Sequence, residues 1–284
     1  MVLQQAMSSL TQLLQPIYDE VEAANIARLV LEDVTGHQLR SIRRHAQQLL
    51  TQHQTEAIQA ISKRLLQKEP VQYVLGSCWF YDMHLKIDQR ALIPRPETEE
   101  LVDLVVKHLK RAPAAHVIDI GTGSGCIALG IKKNIPGCHV KAVDVSAEAL
   151  ALAKENASRL EVDIELQQLN ILDPAEWPKQ ANYDIIVSNP PYIAVEEKDT
   201  LHANVKDYEP HLALFAPAGE ALAFYDAIAA FGKQHLAENG LVVVEINERL
   251  GSATSEVFLA AGFGNVSIKK DMQGKERIII ASLI

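Results

Sequence analysis

Four consecutive residues, Asn189-Pro190-Pro191-Tyr192, combine hydrogen-bond acceptors with an aromatic ring. They follow an apolar run at residues 183–188, which is typical of a buried strand, so the motif is expected in the loop after that strand. Adjacent prolines donate no backbone hydrogen bonds and stiffen the turn. The Asn189 oxygen and the Pro190 carbonyl can accept both hydrogens of one planar NH2 group, with the Tyr192 ring against its plane. The motif therefore predicts a site for an amide or exocyclic amine, although a strand end capped by a proline-rich turn would have the same sequence.

A glycine-rich loop links a predicted strand to a predicted helix and has the sequence Asp119-Ile120-Gly121-Thr122-Gly123-Ser124-Gly125. Alternate glycines let the backbone turn tightly and approach a ligand closely, and the helix N-terminus offers donors to a negative group. Asp144 ends the next predicted strand, 23 residues after Gly121, near the spacing at which an acidic residue accepts the hydroxyls of a ribose. The loop and Asp144 together predict a bound nucleoside.

Residues near this loop favour one nucleoside cofactor over another. A nicotinamide dinucleotide fingerprint needs Gly or Ala where Cys126 stands, whereas the amino group of S-adenosylmethionine would suit Asp119. Asn170 and Ile171 follow the third predicted strand and are expected to border the adenine, although Ile171 fits the core equally well. Ligands of open α/β sheets bind outside the carboxyl ends of the strands, so the Asn189 loop should open into the same crevice. These residues predict an S-adenosylmethionine-dependent methyltransferase.

Strand and helix signals alternate from residue 115 onward. Predicted strands span residues 116–120, 140–145, 162–169, 184–188 and 241–246. This alternation predicts a doubly wound, mainly parallel α/β sheet. Two further predicted strands, 265–269 and 277–282, are separated by a gap too short for a crossover helix, so the last pair should form an antiparallel hairpin.

The first part of the chain has helical spacing and no strong strand signal. Residues 1–66 predict about four helices, with Arg40, Arg43 and Arg44 on one face that is either solvated or in contact with an acidic partner. Residues 79–87 alternate as in a hairpin. We therefore expect three parts: a helical domain at 1–70, a hairpin linker at 71–92 and a catalytic domain at 93–284.

A second proline-rich string precedes a predicted helix that ends near Leu109. Pro96 suits the first helical turn, and the acidic residues Glu97, Glu99 and Glu100 suit the positive end of the helix dipole. Arg95 stands between two prolines, which is unusual for a linker, and is therefore expected to line the active site.

Composition restricts the class of protein. With 48% hydrophobic and 22% charged residues among 284, the chain has the composition of a soluble globular protein. The net charge of −9 opposes stable binding of nucleic acid, which normally requires a basic surface. No segment approaches the ~20 apolar residues of a membrane span. Cys78, Cys126 and Cys138 lack metal-ligand spacing, so no metal is expected and a cytoplasmic location is predicted.

Together these motifs resemble the HemK/PrmC family, the protein-(glutamine-N5) methyltransferases of peptide chain release factors. The strings shared with the family are 93–99, 119–125, 188–193 and Tyr208-Glu209-Pro210. The resemblance implies a class I methyltransferase with a seven-stranded Rossmann-like sheet, S-adenosylmethionine as cofactor and the Gln of a Gly-Gly-Gln tripeptide as substrate. We further expect a monomer whose helical domain docks the release factor and whose Arg95, Asn189, Pro190, Pro191 and Tyr192 bind it.

Other functions would use the same tetrapeptide. Amino-group DNA methyltransferases that act on adenine N6 share it, and ribosomal-protein glutamine methyltransferases differ chiefly in the string 94–99. A non-catalytic protein that keeps the nucleoside pocket is the third alternative. The chain departs from the family at 216–220, which usually has more glycine and an aspartate, and at Asn247, where glycine is usual.

The expected mechanism depends on orientation. Asn189 and Pro190 would hold the amide nitrogen and aim it at the sulfonium methyl, with Asn189 also beside the cofactor. No general base is needed, because the proton can leave after methyl transfer. Nearby ionisable residues are expected to be structural or exposed; they are His202, Asp207, Glu209 and His211.

Overall fold

The computed structural model describes residues 1–37 and 44–284, and these divide into two compact units. The first unit contains Met1–Ser77 and His202–Tyr208, and the second contains Cys78–Leu201 and Glu209–Ile284. Of the predicted basic face, Arg40 and Arg43 lie outside the described residues, and Arg44 lies in an exposed turn rather than a helix.

The first unit is helical. Its N-terminal helices are α1 (Leu3–Leu14), α2 (Glu20–Thr35), α3 (Gln52–Leu66) and α4 (Val71–Leu75). The Asp19 carboxylate accepts from the Glu22 amide at 2.8 Å and caps α2, and Thr51 caps α3 in the same way. A short helix at residues 203–206 belongs to this unit, and the Tyr208 hydroxyl donates to the Gln67 carbonyl at 2.7 Å.

A two-stranded hairpin of β1 (Ser77–Phe80) and β2 (Met83–Lys86) follows α4 in the chain, and the second unit begins within it at Cys78. The hairpin starts and ends earlier than the pattern at 79–87 predicts. Tyr81 and Asp82 form its turn because both have positive φ, 46° and 57°, which suits a tight hairpin connection.

The main sheet has seven strands, with helices between them. They are β3 (His116–Ile120), β4 (His139–Asp144), β5 (Glu165–Gln168), β6 (Tyr183–Ser188), β7 (Leu236–Glu245), β8 (Asn265–Lys270) and β9 (Glu276–Ser282). The order is β5-β4-β3-β6-β7-β9-β8. The first five are parallel, and β9 is antiparallel to both neighbours. The predicted doubly wound sheet and antiparallel last pair are confirmed.

Helices of this unit connect the strands and begin at recognisable signals. They are α5 (Pro96–Leu109), α6 (Cys126–Asn134), α7 (Ala147–Leu160), α8 (Ala223–His235) and α9 (Gly251–Ala260). Pro96 occupies the first turn of α5 with Glu97 and Glu99, as predicted. The central strands are apolar throughout because both faces of the sheet are covered, as at Ile185, Ile186 and Val187.

Strand order decides where a ligand can bind. β3 lies between β4 and β6, so the chain turns to opposite sides of the sheet after these strands. The glycine-rich loop after β3, Asp144 at the end of β4 and the Asn189 loop after β6 therefore meet at one edge of the sheet. This is the switch point at which open α/β sheets bind ligands.

Candidate active site

The glycine-rich loop turns sharply from β3 into α6. The Gly121 and Thr122 amides both donate to the Val143 carbonyl, at 2.8 and 3.0 Å. Gly125 has φ of 83°, and a Cβ there would lie 3.1 Å from Leu129 Cδ1. The last glycine is therefore required both by backbone conformation and by the close approach of helix side chains.

Asp119 fixes this loop from beneath. Its Oδ2 accepts from the Thr122 hydroxyl at 2.6 Å and from the Ala128 amide at 3.2 Å, while its Oδ1 is buried without a partner among the described residues. The side chain is fully buried, and this burial raises the pKa of Asp119 to about 7. Asp119 does not line the cavity described below, so its expected contact with a cofactor amino group stays a prediction.

Asp119→Asn should make folding less sensitive to high pH. Because the folded pKa, about 7, exceeds the unfolded value, the carboxyl costs no stability below the unfolded pKa, and its penalty grows as pH rises toward 7. Relative to wild type, the ligand-free variant should gain roughly 3 kcal/mol between pH 5 and pH 8. Urea denaturation of both proteins at the two pH values measures this difference. Asp163 is exposed and gives a matched control, because Asp163→Asn should have the same pH dependence of stability as wild type. If Asp119→Asn gains no more stability than this control, the raised pKa assigned to Asp119 is contradicted.

Asp144 stands at the end of β4 with both carboxylate oxygens held. Oδ2 accepts from the Gly123 amide and Oδ1 from the Ser146 amide, each at 2.9 Å. Burial raises the pKa of Asp144, and these backbone donors oppose the shift. Each carboxylate oxygen retains a lone pair, so the side chain can still accept two hydroxyl hydrogens from a vicinal diol.

The Asn189 loop is braced at both ends. The Ser188 hydroxyl donates to the Ile120 carbonyl at 2.7 Å, which holds the end of β6 beside β3. The Asn189 side-chain Nδ2 donates to Thr98 Oγ1 at 3.1 Å. Beyond the prolines, the Ile193 amide donates to the Leu214 carbonyl at 3.1 Å. The structure therefore contains the predicted stiff loop directly after β6.

Tyr192 contacts Glu245 and the core of the second unit. Its hydroxyl donates to Glu245 Oε1 at 3.4 Å, and its ring packs against the core. Burial, with the Glu245 charge as the second cause, raises the pKa of Tyr192. Tyr192 is not part of the cavity wall, so contact between its ring and a substrate amide stays a prediction.

Two residues of this network were missed by sequence reasoning, Thr98 in α5 and Glu245 at the end of β7. The Thr98 hydroxyl donates to Glu245 Oε2 at 2.6 Å, and Glu245 is only 1% exposed. Burial raises the pKa of Glu245 to about 7. Thr98 lies in the string 93–99 that the chain shares with the family, and Glu245 lies two residues before Asn247, where the family usually has glycine. No sequence pattern indicates that these two distant residues are in contact.

Arg95 lies at the N-terminal end of α5 and reaches the cavity wall. Its guanidinium pairs with Glu209 Oε1, and Glu209 Oε2 accepts from the Ile93 amide at 3.2 Å. Glu209 is buried, so it is structural rather than exposed, whereas His211 is exposed and lines the cavity. The pair fixes the segment that leads into α5.

These elements enclose a cavity of about 480 Å³ in the second unit, a size suited to a small ligand or cofactor. Eleven of the predicted site residues line it: Arg95, Gly121, Thr122, Gly123, Ser124, Asp144, Asn170, Ile171, Asn189, Pro190 and Pro191. Asp119, Gly125 and Tyr192 do not. Ile171 both lines the cavity and packs in the core, so its two expected positions are compatible. Sequence reasoning missed apolar wall residues such as Leu169, Phe224 and Ile228.

Comparison with known proteins agrees with both units. Residues 5–76 match the PrmC N-terminal domain, and residues 99–213 match the Methyltransferase small domain. A release factor glutamine methyltransferase of Flavobacterium psychrophilum is 39% identical over 284 residues, which is 98% of each chain. The chain belongs to the release factor glutamine methyltransferase family. The resemblance drawn from its motifs is confirmed.

Further family members and solved structures are consistent with this assignment. A Lactococcus lactis release factor glutamine methyltransferase is 42% identical over 81% of this chain and 83% of its own. The fold is also that of a methyltransferase from Pyrococcus furiosus, with a TM-score of 0.50 and 20% identity over 69% of this chain and 86% of that one. None of the described helices combines the length and apolar character needed to cross a bilayer.

The cavity suits S-adenosylmethionine, the cofactor of this methyltransferase family. The partly buried carboxylate of Asp144 can accept hydrogens from a ribose diol, and the left-handed glycines Gly121 and Gly123 bring backbone against the same space. Asn170 lies two residues after β5, and its Oδ1 accepts from the Leu172 amide at 3.1 Å. Asn170 therefore stiffens the wall expected to border the adenine.

Proposed function

We propose that this protein transfers a methyl group from S-adenosylmethionine to the side-chain amide nitrogen of a glutamine in a peptide chain release factor. Relatives that cover 98% and 81% of the chain are named release factor glutamine methyltransferase. The observation that supports it most directly is the orientation of Asn189. Because Nδ2 donates to Thr98, the Asn189 oxygen remains available as an acceptor at the wall of the cavity that contains Asp144. Following the family resemblance, the substrate is the Gln of a Gly-Gly-Gln tripeptide.

The chemistry requires positioning more than activation. An amide nitrogen is a weak nucleophile, since its lone pair is delocalised into the carbonyl. Asn189 Oδ1 and the Pro190 carbonyl accept its two hydrogens and hold the nitrogen in line with the reacting carbon. Such orientation can supply on the order of 7 to 11 kcal/mol of the barrier. S-adenosylmethionine, when bound, supplies a methyl group on a positively charged sulfur.

The electron and proton balance needs no ionised base at the start. With S-adenosylmethionine bound, the nitrogen lone pair would form the new N–C bond, and the electrons of the broken S–C bond would stay on sulfur. The methylated nitrogen then carries a positive charge and is strongly acidic, so it loses one proton to water. Pro190 is buried and Asn189 half-buried, which limits competition from water for these two acceptors.

One assay distinguishes the candidate substrates. S-adenosylmethionine with a labelled methyl group is offered to a release factor, to the same factor with its tripeptide Gln replaced by Ala, and to duplex DNA. We expect label only in the unaltered release factor, at the glutamine side chain by peptide mass spectrometry. Label in DNA would favour the adenine-amino methyltransferase, and label retained in the Gln-replaced factor would contradict the assigned acceptor.

We also propose that the first unit docks the release factor. It matches the PrmC N-terminal domain, and Leu13, Val21 and Leu49 are exposed on it. Hydrogen exchange measured with and without excess release factor should show slower exchange within residues 1–77. Unchanged exchange throughout those residues, with full methylation of the factor, would contradict docking there.

A further inference from the structure

The Thr98 hydroxyl stands between the Asn189 amide and the Glu245 carboxyl. It donates its one hydrogen to Glu245 Oε2 at 2.6 Å and accepts from Asn189 Nδ2 at 3.1 Å. Thr98 is 2% exposed and Glu245 is 1% exposed, so water does not compete readily for either hydrogen bond. The three side chains form a directional relay that ends at the cavity wall.

An asparagine amide has two orientations of nearly the same shape, related by exchange of its oxygen and nitrogen. With the oxygen toward Thr98, the hydroxyl would have to donate to Asn189, and the Thr98 and Glu245 oxygens would face each other without a hydrogen between them. An ionised carboxylate only accepts. Ionised Glu245 therefore compels Thr98 to donate to it and leaves Thr98 able only to accept from Asn189.

Groups around Glu245 determine whether its carboxyl is ionised, and ionisation fixes the direction of the hydrogen bond from Thr98 to Glu245. The Tyr192 hydroxyl donates to Oε1 and the Arg277 charge favours the ionised form, while Glu97 opposes it. Tyr225 donates to the Glu245 backbone carbonyl at 3.1 Å and fixes the end of β7. Burial is the largest influence and raises the pKa of Glu245 to about 7. Protonated Glu245 could donate to Thr98, which would release the constraint on Asn189.

We propose that Glu245 and Thr98 are positioning residues that turn the Asn189 amide oxygen, rather than its nitrogen, toward the nitrogen to be methylated. This inference rests on the proposed function. In the reversed orientation the NH2 of Asn189 would face the NH2 of the substrate glutamine. Both groups are donors, so no hydrogen bond would form and the substrate nitrogen would not be held. Glu245 and Thr98 thus act by orienting the Asn189 oxygen, which is the acceptor. Glu245 itself contacts neither substrate nor cofactor.

The test compares Thr98→Val with Thr98→Ser and with a matched buried control. Val keeps the shape of Thr98 but removes the hydroxyl, and Ser keeps the hydroxyl. Thr254 in α9 is fully buried, and its hydroxyl has no partner among the described residues, so Thr254→Val removes an unused hydroxyl. Steady-state kinetics with release factor and labelled S-adenosylmethionine gives kcat and both KM values, and calorimetry gives the cofactor Kd.

Thr98→Val should lower kcat by about ten- to a hundredfold, with a cofactor Kd within about twofold of wild type. Thr98→Ser should recover most of kcat, and Thr254→Val should match wild type. Equal kcat for Thr98→Val and wild type would overturn the inference, and so would a Thr98→Ser variant as slow as Thr98→Val. Wild type that methylates no release factor would instead refute the proposed function.

Glu245→Gln keeps the test decisive if Thr98→Val does not fold. Gln has the same shape but can donate to Thr98 at any pH, so both orientations of Asn189 become accessible. The wild-type kcat should fall below about pH 7, as protonation releases the relay. The variant should have a lower kcat at pH 8 and lose that acidic decline. An identical pH profile in the two proteins would overturn the inference.

Discussion

Asn189→Ala is expected to abolish methyl transfer while leaving cofactor binding nearly intact. The substitution removes the side-chain oxygen that we propose accepts one hydrogen of the substrate amide, and it leaves Thr98 without its donor. Loss of a preorganised contact at the reacting group costs on the order of a hundred- to a thousandfold in kcat. We expect the cofactor to be held mainly through Asp144 and the glycine-rich loop, so its Kd should change by less than about threefold.

Single-turnover transfer from labelled S-adenosylmethionine measures the first effect and calorimetry the second. Asn265 lies exposed on β8, away from the cavity, so Asn265→Ala is a matched control with unchanged turnover. Unaltered turnover in Asn189→Ala would remove the basis of the proposed mechanism. A large loss of cofactor affinity with normal turnover at saturation would move Asn189 from the substrate to the cofactor.

Asp144→Ala should weaken cofactor binding far more than it affects the protein substrate. A partly buried carboxylate that accepts two ribose hydroxyls contributes charge-assisted hydrogen bonds, and their loss should raise the cofactor Kd about a hundredfold or more. The Gly123 and Ser146 amides also lose their acceptor, so the loop loses support. The KM for release factor, measured at saturating cofactor, should stay within about threefold of wild type.

Asp144→Asn separates these two contributions. The amide oxygen can still accept one backbone hydrogen, but the charge and one acceptor are lost, so an intermediate Kd is expected. Thermal unfolding of the ligand-free proteins shows whether the loop alone has been disturbed. A cofactor Kd equal to wild type in Asp144→Ala would refute the ribose assignment.

Much of the fold could be predicted because its signals are local. The sheet strands at residues 116–120 and 184–188 are apolar runs followed by loop residues, since parallel strands are covered on both faces. The short gap before β9 excluded a crossover. Boundaries were less accurate: β7 starts at Leu236 instead of 241, because Leu236 already pairs with Tyr183 before an irregularity in the register.

Within the site, sequence and tertiary structure contribute different kinds of information. The glycine-rich loop, Asp144 and the Asn189 loop were predictable, since each is contiguous or follows a strand whose carboxyl end must lie at the same edge of the sheet. The side-chain directions were not. Asp119 is buried beneath its loop and Tyr192 bonds to Glu245 instead of lining the cavity.

By itself, the sequence determined the family and the parallel sheet, and it predicted the glycine-rich loop as the cofactor site and Asn189 as the acceptor residue. Only the tertiary structure decided which end of the Asn189 amide faces the cavity. That choice depends on Thr98, which precedes Asn189 by 91 residues, and on Glu245, which follows Thr98 by 147 residues. The direction of a hydrogen bond is set by its partners in space, and no local pattern of residue types records which partners meet.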